Sequence, residues 1–233
     1  MRGRTTIDTP SELEQEGRQV EEQTAEDTDQ ADGDQADGDQ TDGGQTAGES
    51  ASYSDPVFTK VKASTTLEED TGKYAPEQLL DGNRQTCWAE GAGTDKEEAW
   101  EQGSLSESEA EEAAGIGEWV ELSASDEQHV QGLTIVNGYS KEKSADWEDR
   151  SNGDTFYYDN PRVKRMTVTF SDGFEETVNL EDAGPGVEQT VAFDEAHDTT
   201  SVRLTILEVY DTGIGGSGRC KWPDTSIDEV EVF

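Results

Sequence analysis

Met166-Thr-Val-Thr-Phe-Ser-Asp-Gly173, followed closely by Thr177-Val-Asn-Leu180, decides the fold class. Met166, Val168 and Phe170 alternate with Thr167 and Thr169, the period of a strand with one apolar face. Ser171-Asp-Gly173 then supplies hairpin-turn chemistry. Working outward, Ile116–Leu122, Gly132–Val136, Gln189–Phe193 and Val202–Ile206 are further short β-rich runs. Ile227–Phe233 closes the chain and places Val230 and Val232 on one face. Strands separated by Gly and Asp turns, with almost no long amphipathic helix, predict an all-β sandwich. Ala75-Pro-Glu-Gln-Leu-Leu80 predicts a single helical turn with Pro at its start.

Two stretches read as surface insertions. Thr94–Ala114 is strongly acidic; Ser106-Glu-Ser-Glu109 has capping-box spacing and Gly115 is placed to stop a short helix. Lys141–Thr155 is a second polar excursion. Trp119 reads as core from its strand position.

The chain has 233 residues, with 55 acids against 17 bases and a formal net charge of −38. All 17 aromatic residues lie at Tyr53 or later. Residues 1–55 hold 16 acids and 3 bases, with a degenerate five-residue repeat running through Ala31-Asp-Gly-Asp-Gln35. Such a segment buries too little apolar surface to offset its ordering entropy, so it reads as a disordered acidic tether. Residues 56–233 then form the folded domain, itself at net −25. That exceeds the charge of about 2–8 that keeps a small domain soluble, and it suggests a high-salt or cationic surrounding.

A charge of this sign excludes unaided binding to nucleic acid or anionic lipid. No run approaches the roughly 18 apolar residues of a membrane span, so direct membrane insertion is not expected. No nucleophile motif accompanies His129 or His197, and Gly213-Ile-Gly-Gly-Ser-Gly218 lacks the Lys-Ser/Thr of a phosphate loop. The expectation is a protein that is not an enzyme. Carboxylates are too abundant for their spacing to argue for or against a glycosidase-like pair.

Leu80-Asp-Gly-Asn-Arg-Gln-Thr-Cys-Trp88 resembles the early loop of discoidin, or coagulation-factor type C, domains. More narrowly, the chain resembles the NADase-type glycan-binding domain of bacterial surface proteins. The ordered pieces are Trp88–Gly91, Gly115–Trp119, Val136–Lys141, Asn160–Lys164, Ser171–Gly173, Val209-Tyr210 and Asp224–Glu229. The resemblance implies a galactose-binding-like jelly-roll β-sandwich and a non-catalytic module that takes a glycan or other cell-surface ligand. Its compartment would be extracellular or at the cell surface, although no N-terminal stretch reads as a signal peptide. A structural or protein-interaction module with an acidic face is the alternative, and a glycoside hydrolase a more distant one. Oligomeric state is left open.

Site residues follow from the same resemblance. Asn137, Tyr139, Asn160 and Arg162 lie in its most recognisable motifs, with Trp147 and Tyr158 nearby as a stacking platform; aromatic faces, amides and guanidinium groups suit sugar recognition. Asn137-Gly138 reads equally as a turn, and Arg162 as the partner of a buried acid. In related jelly rolls the early loop and the last strand hold a structural calcium ion, which here implies Asp81, Asn83, Thr86 and Glu229. The alternative for that loop is a metal-free Asx turn. Cys87 and Cys220 flank these regions, and the resemblance implies a disulfide between them, against two reduced thiols. The two inserts fall where they would reshape a binding rim.

Overall fold

The order of elements follows the alternation of apolar residues along the chain. The computed structural model describes residues 54–68, 74–211 and 220–233; the acidic tether expected over residues 1–55 lies almost wholly outside them. Seven strands form: β1 (Lys60–Ala63), β2 (Trp88–Ala89), β3 (Trp119–Asn137), β4 (Arg162–Phe170), β5 (Glu175–Asn179), β6 (Glu188–Tyr210) and β7 (Ser226–Val232). Every pairing is antiparallel, in the order β2-β7-β3-β6-β4-β5, with β1 against β3.

Two long strands make the sandwich. β3 and β6 run together along most of their length, with irregularities between Ser123 and Gln128 and between Val130 and Gly132. The first half of β3 pairs with β1, and the facing half of β6 pairs with β4, which continues into β5. The second half of β3 pairs instead with β7. Bulges bend the β3–β6 ribbon from one layer into the other. Sequence reasoning divides each of these long strands into two short runs, because the bulges interrupt the apolar alternation. The result is a galactose-binding-like jelly-roll β-sandwich.

The expected alternation holds in the hairpin. Met166, Val168 and Phe170 on β4 are buried together with Val178 on β5, and Gly173 takes a φ of 85° in the turn. Val202, Leu204 and Ile206 fill the facing positions, and Ile227, Val230 and Val232 close the other layer. Trp119, expected in the core, is half-buried on the opposite face from Val120. Its ring lies between Lys62 Nζ, 5.9 Å from the centroid, and the Arg203 guanidinium at 4.2 Å. Strand alternation sends neighbouring side chains to opposite faces, and Val120 takes the inner one.

The first insert is more than a surface excursion. It folds into α1 (Glu97–Gln102) and α2 (Glu107–Ala113), the latter opened by the Ser106–Glu109 capping box. Trp100, Ala110, Ala113 and Ala114 are buried in the core, and Trp100 Nε1 donates to the Cys220 carbonyl at 3.0 Å. Gly115 follows with a φ of 73°, as its stop position requires. Pro76–Leu80 forms the expected single turn, of 3₁₀ type, and buries Leu79.

Candidate functional site: an aromatic cleft between the loops

The loops that follow β1 and β3 and precede β4 and β7 gather around a cleft of about 380 Å³. Its apolar wall is a run of rings: Tyr74, Tyr139, Phe156, Trp147 and Trp222. Tyr139 stacks on Phe156 at 5.5 Å between centroids, and Trp147 meets Phe156 edge-on at 4.9 Å. Trp222 lies 6.2 Å from Trp147, and Tyr74 stands edge-on to Tyr139 at 6.0 Å. Polar groups share the lining: Asn160, Ser144, Lys141 and the carboxylates Glu97, Glu142 and Asp224. Both inserts therefore contribute, the first through Glu97 on α1 and the second through Glu142, Ser144 and Trp147.

The second insert is held as a defined loop. Its base closes through a bridge between Glu142 and Thr155, and Arg150 donates to the Lys143 and Ser144 carbonyls. Beneath it, Lys143 pairs with Asp159 at 2.7 Å, both side chains buried. Its outer part is tied to the segment before β7 by Lys221 and Asp149 at 2.8 Å. The Lys221 ammonium sits 4.8 Å from the Trp222 ring and 5.8 Å from the Trp147 ring. The Lys221 contact holds the Asp149 carboxyl far below the usual carboxylate range. The Trp147 Nε1–H is shielded from water and has no hydrogen-bond partner among the described residues.

Amides and one buried acid tie together the segments that carry the cleft. Asn137, at the end of β3, donates to the Val163 carbonyl and accepts from its N–H, tying β3 to β4. Gly138 follows with a φ of 82°, and a Cβ there would lie 2.7 Å from the Tyr157 ring. No other residue fits that approach to the ring. Asn160 Nδ2 donates to the Asp224 carbonyl at 3.1 Å. Glu90, fully buried just past β2, accepts from the Ala92 and Thr225 amides at 2.7 and 2.9 Å. Burial pushes its carboxyl up to about 8.

Tyr139, Trp147 and Asn160 thus meet at the cleft as expected from sequence, while Asn137, Tyr158 and Arg162 do not line it. Asn137 is spent on the β3–β4 tie. Tyr158 is exposed and packs edge-on to Tyr157 at 4.8 Å. Arg162 is fully buried; its guanidinium pairs with Asp182 at 2.9 Å and Asp211 at 2.5 Å and donates to the Asn160 carbonyl. These partners hold Arg162 in the protein interior and leave it no free face, which answers the alternative left open for it. Tyr74, Phe156 and Trp222 carry no signal in the sequence, because rings dispersed over long loops have no period to reveal them.

The expected disulfide is absent. Cys87 and Cys220 are both buried and not joined to each other, and Cys220 Sγ accepts from Arg162 Nη1 at 3.4 Å. Burial pushes the Cys220 thiol up to about 12, so it stays protonated. Asp81, Asn83, Thr86 and Glu229 do come together. Asp81 accepts from the Asn83 amide at 2.8 Å and the Thr86 hydroxyl at 2.9 Å, the Asx arrangement given above as the alternative to a metal site. Glu229 faces the same loop: burial and the Asp81 charge raise its pKa, while the Gly82 and Asn83 amides donate to it and lower it. Its Oε1 is shielded from water without a hydrogen-bond partner among the described residues. Two facing carboxyls with an orphaned oxygen fit a hard cation. Among the described residues no three His, Cys, Asp or Glu converge on one point, so amide and hydroxyl oxygens would complete the set.

A jelly-roll sandwich whose loops close around an aromatic cleft has the build of the discoidin-like domains. The chain belongs to the family described as the NAD glycohydrolase translocation F5/8 type C domain, which matches residues 52–232. No functionally curated protein matches the chain. Among solved structures, it is similar to the family 32 CBM of C. perfringens NanJ in complex with galactose, at 16% identity and a TM-score of 0.42, covering 74% of this chain and 91% of that one. A second is CpGH89CBM32-5 from Clostridium perfringens in complex with GalNAc-beta-1,3-galactose, at 14% identity and a TM-score of 0.44, covering 75% and 94%. A third is a pectin binding carbohydrate binding module, at 12% identity and a TM-score of 0.43, covering 76% and 90%.

Proposed function

We propose that the domain is a non-catalytic carbohydrate-binding module of a secreted or surface-exposed protein. One observation carries this reading: Tyr139, Trp147, Phe156 and Trp222 line one cleft with Asn160 and three carboxylates. Rings stack on the C–H faces of a sugar, while amide and carboxylate oxygens accept from its hydroxyls. The rings are braced by one another and by buried ties, so little conformational entropy is lost on binding. Family membership supports the same reading.

The Asp81–Glu229 loop fits calcium as a structural ion. Bound there, the ion would neutralise the facing carboxyls and fix the loop ahead of β2. Asp81 and Glu229 would hold it, with oxygens of Asn83 and Thr86 beside them.

A glycan array followed by isothermal titration tests the binding reading. Saturable binding to a carbohydrate, lost on Trp147→Ala or Trp222→Ala, supports it. Failure to bind any carbohydrate, with and without calcium, overturns it. Turnover of a chromogenic glycoside that requires a cleft carboxylate would overturn the non-catalytic part.

A further inference from the structure

We propose that the sugar recognised in the aromatic cleft carries a free, protonated amino group. This rests on the carbohydrate-binding reading of the cleft and narrows its ligand class.

The first support is charge. The lining brings Glu97, Glu142 and Asp224 together with a single base, Lys141. Among the described residues, neither Glu97 nor Glu142 is engaged in an ion pair. The other two ammonium groups near the rings are already neutralised, Lys143 by Asp159 at 2.7 Å and Lys221 by Asp149 at 2.8 Å. Glu97 and Glu142 alone outnumber Lys141, so the cleft keeps a negative balance, within a chain of net −38. Partly enclosed walls of low dielectric strengthen that field over its value in open water.

The second support is the rings, which already tolerate ammonium groups close to them. Lys221 Nζ lies 4.8 Å from the Trp222 centroid and 5.8 Å from that of Trp147, and Lys143 Nζ lies 5.8 Å from that of Phe156. Three of the cleft's rings thus already sit beside ammonium groups at cation–π distance. The aromatic faces left open to the cleft offer the same cation–π attraction to a ligand's ammonium. A neutral hexose would use the rings for stacking and leave the carboxylate field without a counterpart. An amino sugar uses both.

Titration calorimetry of the full chain with three oligosaccharide series tests this: glucosamine oligomers, their N-acetylated counterparts and neutral hexose oligomers. The expected result is that glucosamine oligomers bind at least tenfold more tightly than the other two series. Their affinity should fall as salt rises, because screening weakens charge attraction. Glu97→Gln/Glu142→Gln, both at exposed positions, should weaken their binding at least tenfold without changing the melting temperature. Equal binding of acetylated or neutral oligomers overturns the amino-sugar inference and leaves the carbohydrate reading standing. Binding of no sugar overturns both. Binding of choline or trimethyl-lysine as tightly as the glucosamine oligomers shows that a bare ammonium suffices, and overturns the assignment to a sugar. Unchanged affinity in the double variant overturns the role given to the carboxylates.

Discussion

Lys143 and Asp159 form an ion pair at 2.7 Å with both side chains removed from solvent. It fastens the second insert, which carries Trp147 into the cleft, to the segment leading into β4. A buried pair of this kind contributes little against an apolar replacement, but breaking it strands a charge. Lys143→Met is expected to cost about 3–5 kcal/mol in urea denaturation. Lys143→Met/Asp159→Leu should recover most of that loss. A single variant within ~1 kcal/mol of the parent would show that water reaches the pair, as in surface ion pairs.

The cleft rings divide by position. Trp147→Ala and Trp222→Ala are each expected to weaken carbohydrate binding at least tenfold, about 1.4 kcal/mol, in titration calorimetry. Tyr158→Ala, outside the cleft, should leave affinity unchanged. A loss at Tyr158 equal to that at Trp222 would place the ligand elsewhere.

Stability should fall as pH rises from about 4 to about 8. Burial pushes Glu90 up to about 8 and Asp228 up to about 7. Both are fully buried carboxyls whose folded pKa exceeds the unfolded one. Between the two values the folded state binds more protons, so deprotonation favours unfolding, by up to about 1.4 kcal/mol per pH unit for each group. Above about 8 the contribution of both is spent and the slope should flatten. Glu90→Gln should reduce the slope between pH 5 and pH 8 in urea melts (an unchanged slope would mean Glu90 is ionised throughout).

Calcium is expected to raise the melting temperature, since any ligand specific to the folded state stabilises it by mass action. Glu229→Gln should abolish the shift. Calcium-independent melting would leave Asp81 as an Asx-turn residue alone.

The charge of the folded part makes a further prediction. At net −25 over residues 56–233, self-repulsion should be relieved by salt, and the melting temperature should rise from low to molar salt. A flat curve would remove the case for a high-salt adaptation.

The alternation of Met166, Val168 and Phe170 showed the hairpin, and Ser106 with Glu109 showed the start of α2, because both depend on neighbours a few residues apart. The ordered motifs identified the family, and with it Tyr139, Trp147 and Asn160. Arg162 shows the limit. Its motif makes it look like a ligand-binding donor, yet Asp182 and Asp211 reach it from 20 and 49 residues away. Nothing local in the sequence announces those partners.

The sequence by itself determined the all-β class, the family, the acidic character and which loops would surround a site, since composition and period are properties of the chain. Only the tertiary structure decided that Trp100 is core, that Cys87 and Cys220 stay apart as thiols, and that Tyr74, Phe156 and Trp222 join Tyr139 and Trp147 in one wall. Those outcomes depend on contacts between distant segments. The bends in β3 and β6 bring such segments together, and no local pattern encodes the pairing.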